Sequence, residues 1–227
     1  MGNDIGTKPV HEDLDESYYK KCTGFSYNEF LDECKNINND YEKFDRVLEK
    51  YISMEGFKRS MFRDIFISYV SFAVPTHQVI EIIYQTFMKH LERYPDAKLI
   101  DLGCGSGVFT WLLYRKGIQR DKLIAVDVPS EKKTQKFSAT YWNDIIEDEN
   151  YIINPNDMVF IGWGYFSIKK HVNNGCKCIL ILGEDDDGCT LTADYFKDNK
   201  EWNVIKYEVL GGANMLTSDY LTINTRC

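Results

Sequence analysis

Residues 99–107 read Leu-Ile-Asp-Leu-Gly-Cys-Gly-Ser-Gly, and this segment constrains the fold more than any other part of the chain. An apolar strand pattern runs into a glycine-rich turn, and a helical pattern follows directly over Val108–Lys116. Gly103 permits a tight turn, Gly105 lets a ligand approach the backbone, and Gly107 opens the helix without a side chain in the way. Free backbone N–H groups at the start of such a helix bind anions. The sequence therefore predicts a strand–turn–helix unit of a parallel α/β sheet, with an anion site at the turn.

Two acidic residues accompany this turn. Asp101 stands two positions before Gly103, and Asp127 lies at the end of a second apolar segment, residues 122–128. In nucleotide-binding sheets, an acid about 20 residues beyond the glycine turn accepts hydrogen bonds from ribose hydroxyls. We therefore predict that Asp127 binds a ribose; the alternative is that it stabilises a turn before Pro129. Asp101 would repel a pyrophosphate and suits a ligand that carries positive charge.

The composition restricts the function classes. A chain of 227 residues that is 44% hydrophobic can bury a full core. Its net charge of −8 argues against broad nucleic-acid binding, which needs a basic face. No apolar run approaches the roughly 20 residues that span a bilayer. The seven cysteines lack the spacing of a metal site or a disulfide framework, so we predict a cytoplasmic protein with reduced thiols and no metal.

The hydrophobic pattern divides the chain into three parts. Residues 1–24 are polar and acidic, and we predict that they form a mobile tail. Residues 25–95 carry helical stripes, with Ser26 and Thr76 as candidate N-caps, and predict a helical cap. Residues 96–227 form the predicted ligand-binding α/β domain.

Within that domain, short apolar segments predict strands that are buried on both faces. These segments are residues 98–102, 122–128, 158–163 and 176–183, and a further strand is expected at 151–154, after a helix that includes residues 137–146. Two last strand patterns, residues 202–210 and 220–226, follow each other without a helix between them. They predict an antiparallel pair at the sheet edge, whereas a dinucleotide-binding sheet would continue β-α-β.

The Asp101 and glycine pattern resembles motif I of the class I S-adenosylmethionine (SAM) dependent methyltransferases. This resemblance implies a Rossmann-like sheet of order 3-2-1-4-5-7-6 with an antiparallel last strand. It also implies that Gly103, Gly105 and Gly107 bind the methionine carboxylate of SAM and that Asp127 binds its ribose. The implied function is methyl transfer to a small molecule or a protein side chain. Two alternatives stay open: a SAM-binding interaction module without catalysis, and a nicotinamide-dependent oxidoreductase.

Further segments resemble an uncharacterised family of SAM methyltransferase-like proteins. The matching segments are Ser71-Phe-Ala-Val-Pro75 for a W-A-I-P stretch, Trp142 between strands 2 and 4, Trp163-Gly-Tyr165 after strand 4, and Gly183-Glu184 with Gly188-Cys189-Thr190 for a G-E…G-C-T pattern. The resemblance implies that Pro75, Trp142 and Trp163 lie beside the cofactor. Tyr165 is a candidate for gripping the methyl acceptor, and Glu184, which ends a buried strand on the same rim, is a candidate for acid–base work.

Overall fold

The computed structural model of this chain describes residues 16–54, 56–132, 137–163, 174–184, 196, 200–209 and 219–226. Its strands are β1 (Leu99–Leu102), β2 (Leu123–Asp127), β3 (Ile145–Glu147), β4 (Met158–Gly162), β5 (Cys178–Glu184), β6 (Trp202–Val209) and β7 (Asp219–Arg226). The helices of these described ranges are α1 (Glu16–Thr23), α2 (Tyr27–Lys35), α3 (Tyr41–Ser53), α4 (Phe57–Tyr69), α5 (His77–Arg93) and α6 (Val108–Lys116).

The strands form one sheet with the order β3-β2-β1-β4-β5-β7-β6. Strands β1 to β5 pair in parallel, and β7 runs antiparallel between β5 and β6. The predicted fold class, strand order and antiparallel last strand are therefore confirmed. The strand order reverses direction between β1 and β4, and in such sheets ligands bind beyond the carboxyl ends of the strands at that point.

The centre of the sheet is buried on both faces, as its apolar segments predict. All four residues of β1 are buried. Leu99 and Phe160 belong to the core cluster that also contains side chains of helices α1 to α6, called the helical layer below. Ile100 and Val159 belong to a second cluster on the opposite face of the sheet. Burial of each such side chain stabilises the fold by about 1.5–3 kcal/mol, so the strand ends are held on a rigid platform.

Helices α2 and α5 of the helical layer begin at the predicted N-caps. The Ser26 hydroxyl accepts a hydrogen bond from the Glu29 N–H at 3.1 Å, and the Thr76 hydroxyl accepts one from the Val79 N–H at 3.2 Å. Aromatic rings fill the space between these helices; Tyr51 and Phe66, for example, stack with ring centroids 4.0 Å apart. No helix among the described residues combines the length and apolar character needed to cross a membrane.

Three expectations of element placement need correction. Residues 16–23, assigned to the tail, form α1, because Tyr19 packs into the helical core at 1% exposure. The third strand is Ile145–Glu147 and not 151–154, where Ile153 is buried in a loop that precedes β4. The helix expected over residues 137–146 does not form. Its backbone instead bonds to other elements: the N–H of Ser138 donates to the Ser68 carbonyl at 2.7 Å.

Candidate functional site

The glycine turn after β1 adopts the left-handed conformation at each of its three glycines. The φ angles are 77° at Gly103, 57° at Gly105 and 73° at Gly107. Only glycine takes this conformation without steric cost. The N–H groups of Gly103 and Cys104 both donate to the carbonyl of Val126 in β2, at 2.8 and 3.1 Å. The turn (residues 103–107) is called the elbow below. Its two hydrogen bonds to Val126 fix it against β2, one residue before Asp127, which was predicted to bind the ribose.

Asp127 is that residue, and the structure brings it beside the elbow. It is the last residue of β2 and is 7% exposed. Its Oδ1 accepts a hydrogen bond from the N–H of Val128 at 2.8 Å, which orients the carboxylate at the carboxyl end of the strand. The predicted proximity of Asp127 to the glycine turn is present in the fold.

Asp101 has a role that the sequence did not predict. The side chain is 3% exposed, and its carboxylate accepts hydrogen bonds from the Thr110 hydroxyl, at 2.8 Å, and from the Thr110 backbone N–H. It therefore supplies the N-terminal cap of α6, because the N-cap residue Gly107 has no side chain to do so. Burial, together with the nearby Asp127 charge, raises the pKa of Asp101 to about 7 against the opposing effect of the two hydrogen bonds.

The outer side of the elbow is covered by the chain that follows β2. A Cβ atom added to Gly105 would lie 2.6 Å from Cε2 of Phe137, and one added to Gly107 would lie 2.6 Å from Cβ of Trp142. The N–H of Tyr141 donates to the Ser106 carbonyl at 2.8 Å and fixes this crossing. Glycine is thus required at positions 105 and 107 because Phe137 and Trp142 approach the backbone there too closely for a Cβ atom. The position of Phe137 on the elbow was not predicted, since its spacing indicated only one face of a helix over residues 137–146.

Trp142 contacts the elbow through its Cβ and backbone. Its indole ring points along α6, where the Arg120 guanidinium lies 4.5 Å from the ring centroid and Tyr114 packs against its edge. The residue is 3% exposed. Its contacts in the structure are those of a packing residue that supports α6, and contact with a cofactor stays a prediction.

The segment before α5 lies partly against the elbow. The Ser106 hydroxyl donates to the Val70 carbonyl at 2.5 Å. Pro75 itself is buried and lines a different cavity of about 360 Å³, bounded by α3, α5 and the last turn of α6.

Trp163 is a strained residue at the carboxyl end of β4. Its φ of 54° is one of three positive values at non-glycine positions in the described part of the chain. Its backbone N–H donates to the Leu182 carbonyl at 2.9 Å. Its indole Nε1 is buried, and no described residue accepts a hydrogen bond from it. Backbone strain and an unsatisfied buried donor are both features that occur at ligand sites.

Glu184 ends β5 on the same rim, in register with Asp219 of β7. Asp219 is 3% exposed and was missed in the sequence, where it reads as one acid in a polar stretch. Two acidic residues are therefore paired in the strand register at the carboxyl end of β5. Tyr165 lies outside the described residues.

A group of metal-binding residue types lies away from this rim. Asp45 and Glu49 of α3 and His77 of α5 have their ligand atoms within 4.8 Å of one another, and His77 Nε2 is 2.9 Å from Asp45 Oδ1. Two of the three side chains are exposed. Exposed carboxylates form such pairs with histidine without a metal, and we assign no ion to the group.

Comparisons with known proteins return structures only. No protein-family model matches the chain, and no curated protein matches its sequence. The O-methyltransferase TomG from Streptomyces achromogenes, involved in tomaymycin synthesis and solved in complex with SAM, is 9% identical; the match covers 78% of this chain and 89% of TomG, with a TM-score of 0.47.

Two further solved structures are similar in the same way. Magnesium protoporphyrin IX methyltransferase (ChlM) from Synechocystis, with bound SAM, is 11% identical over 85% of this chain and 97% of its own, with a TM-score of 0.45. A SAM-dependent methyltransferase from Aquifex aeolicus is 15% identical over 61% of this chain and 88% of its own, with a TM-score of 0.38. Similarity at this level does not assign the chain to a family.

Proposed function

We propose that this chain binds SAM at the elbow and transfers its methyl group to a small molecule or a protein side chain. The observation that carries the proposal is the left-handed glycine elbow, hydrogen-bonded to β2 beside the buried Asp127, at the carboxyl edge of β1 and β2. This arrangement unites backbone donors with one carboxylate within a few residues. A cofactor that carries a carboxylate at one end and a ribose in its middle requires that combination.

The residues of the elbow fit such a group chemically. No described residue accepts a hydrogen bond from the backbone N–H groups of Gly105 and Ser106, so these donors suit a carboxylate. The Asp127 carboxylate would accept hydrogen bonds from ribose hydroxyls. When bound, SAM supplies a methyl group on a positively charged sulfur. The protein then has to align the acceptor and exclude water, because the reactive group belongs to the cofactor.

The rim beyond β4 and β5 supplies the residues that we assign to the acceptor. The buried Nε1–H of Trp163 would donate a hydrogen bond to an oxygen or nitrogen of the acceptor. Glu184 would accept the proton that the attacking atom of the acceptor loses, if that atom is protonated before transfer. Tyr165 remains our candidate for gripping the acceptor.

The sheet itself argues against the nicotinamide alternative. A dinucleotide-binding sheet has a parallel sixth strand beside β5, whereas β7 is antiparallel in this position. An interaction module that binds SAM without catalysis would have the same fold as an enzyme. Only an assay of methyl transfer distinguishes the two.

Calorimetry and a transfer assay separate the three functions. We expect micromolar binding of SAM and S-adenosylhomocysteine and no binding of NAD. We also expect tritium from methyl-labelled SAM to enter a component of a cell extract. Binding of NAD alone would contradict the proposal, and binding of SAM without any labelled product would favour the interaction module.

Replacement of Asp127 by alanine tests the ribose assignment. We expect Asp127→Ala to weaken SAM binding by on the order of 1–3 kcal/mol, because charge-assisted hydrogen bonds to two hydroxyls are lost. Asp127→Asn, which keeps the shape and one acceptor oxygen, should lie between this variant and the wild type. Asp121→Ala, an exposed acid just before β2, is the matched control. An unchanged dissociation constant in Asp127→Ala would exclude the assignment.

Replacement of Phe137 tests how the elbow opens. The ring covers Gly105, so we propose that it moves aside when the cofactor binds. Displacement of a half-buried ring costs on the order of 1 kcal/mol, and Phe137→Ala should therefore bind SAM about fivefold more tightly. The exposed Phe57→Ala serves as control. Weaker binding by Phe137→Ala, with an unchanged melting temperature, would mean that the ring packs on the cofactor and does not cover its place.

A further inference from the structure

A second concave surface lies between α5 and the outer end of the sheet. This groove has a volume of about 590 Å³. Its floor includes Ile205 and Tyr207 of β6 and Ile223 of β7, and Lys89 and Arg93 of α5 form its wall. Ile205 is 44% exposed and Tyr207 is 36% exposed. The floor therefore presents apolar side chains to solvent on an edge strand.

The groove concentrates positive charge on an acidic protein. Lys89, Arg93, Lys177 and Arg226 line it, none of its described lining residues is acidic, and the whole chain carries a net charge of −8. Arg226 pairs with Glu201 at 2.7 Å. Among the described residues, no carboxylate forms an ion pair with the other three cations. Uncompensated like charges around an enclosed surface attract anions.

Tyr94 gives the cationic end of the groove a flat apolar surface. The ammonium of Lys177 lies 4.6 Å from its ring centroid and the guanidinium of Arg93 lies 5.5 Å from it. Lys177 is held in this position, since its Nζ donates to Oδ1 of Asn156 at 2.8 Å. These contacts fix two cations at a defined spacing around one ring.

His90 adds apolar surface and no charge. Its Nε2 lies 2.7 Å from the carbonyl oxygen of Asn156 and donates to it, because a carbonyl can only accept. Burial lowers the pKa of His90 against the opposing influence of that hydrogen bond, so the imidazole is neutral near pH 7. The charge of the groove therefore comes from its lysines and arginines, and it does not change over the physiological pH range.

We infer that this groove binds a small organic anion with a flat apolar body and a carboxylate or phosphate head. The body would cover Ile205 and Tyr207, and the head would lie between the cations around Tyr94. The volume falls within the range of small-ligand sites. A nucleic-acid strand is disfavoured, since the rest of the surface is acidic and would repel a polyanion.

This site is separate from the proposed methyl-transfer site. Its cationic end includes Lys177 and Cys178 at the start of β5, whereas Glu184 ends the same strand. A strand of this length spans about 20 Å. The ligand would thus bind at the opposite edge of the sheet, and the inference does not depend on whether the elbow binds SAM.

Three naphthalene compounds test the inference by calorimetry on the full chain. We expect 1-naphthyl phosphate and 1-naphthoate to bind at least about tenfold more tightly than neutral 1-naphthol, which has the same apolar body. Whichever anion binds more tightly identifies the head group. Lys89→Gln/Lys177→Gln should weaken binding of both anions by about tenfold and leave naphthol unchanged. Lys20→Gln/Lys21→Gln removes the same charge from exposed positions of α1 and should bind like the wild type.

Several results would overturn the inference. These are equal binding of the anions and naphthol, equal anion binding by the wild type and Lys89→Gln/Lys177→Gln, or no binding of either anion. Displacement of naphthyl phosphate by a single-stranded oligonucleotide but not by naphthoate would assign the groove to a nucleic acid and would also overturn it. Saturating S-adenosylhomocysteine should leave anion binding unchanged, which shows that the elbow is not the site measured.

Discussion

Asp101→Asn should remove a large pH dependence from the stability of this protein. The buried carboxyl has a pKa of about 7 in the folded chain, against about 3.9 in an unfolded one. The folded state therefore binds the proton more tightly. The stabilisation of the folded state by this tighter proton binding is fully present below about pH 4 and is lost as the pH rises through 7. Three pKa units correspond to about 4 kcal/mol.

Urea denaturation at pH 5 and pH 8 measures about two of these three units, which is about 2–3 kcal/mol. The wild type should lose free energy of unfolding between the two values, and Asp101→Asn should lose much less, because its amide cannot ionise and its oxygen still accepts from the Thr110 hydroxyl. Asp121→Asn changes an exposed acid and should follow the wild type. If Asp101→Asn were destabilised equally at both pH values, the carboxyl would not be held as the structure implies.

The fold was predictable where one local pattern determines one element. The apolar segments of β1, β2, β4 and β5 and the glycine elbow are each encoded within a few consecutive residues, and their order follows from them. β3 was misplaced because it has only three residues, of which Ile146 and Glu147 are exposed. Such a short, exposed strand shows no recognisable pattern of apolar residues in the sequence. The helix expected over 137–146 failed for a related reason. Phe137, Tyr141 and Ile145 have helical spacing, but Phe137 packs on the elbow from a loop, Tyr141 packs on the helical layer from the same loop, and Ile145 begins β3.

The candidate site was predictable in position and less so in the role of each residue. The spacing of the elbow and Asp127 follows from their place at the ends of adjacent strands. The role of Asp101 does not, because its hydrogen bonds to Thr110 exist only after the strand, elbow and helix have folded together. The strain at Trp163 and the cover over Gly105 are likewise tertiary, and no sequence period encodes them.

Gly107→Ala should destabilise the protein more than an alanine at any exposed left-handed glycine. A left-handed conformation costs an L-residue about 1–2 kcal/mol. At Gly107, the new Cβ would also meet Cβ of Trp142 at 2.6 Å and the Trp142 nitrogen at 3.3 Å. Neither atom is the end of a flexible side chain, so the backbone has to shift, and overpacking of this kind adds about 1–3 kcal/mol. We expect a total of about 2–5 kcal/mol.

Gly24→Ala is the matched control for this prediction. Its φ of 80° is close to that of Gly107, but nothing lies within 4 Å of the added Cβ, so only the conformational cost of about 1–2 kcal/mol remains. Gly105→Ala should lie between the two variants, since the atoms it meets belong to the ring of Phe137, which can rotate. The additional Phe137→Ala substitution should recover part of that loss. Equal free energies of unfolding for Gly107→Ala and Gly24→Ala would mean that Trp142 does not press on the elbow, and the elbow would then be open to a ligand without any displacement of the chain after β2.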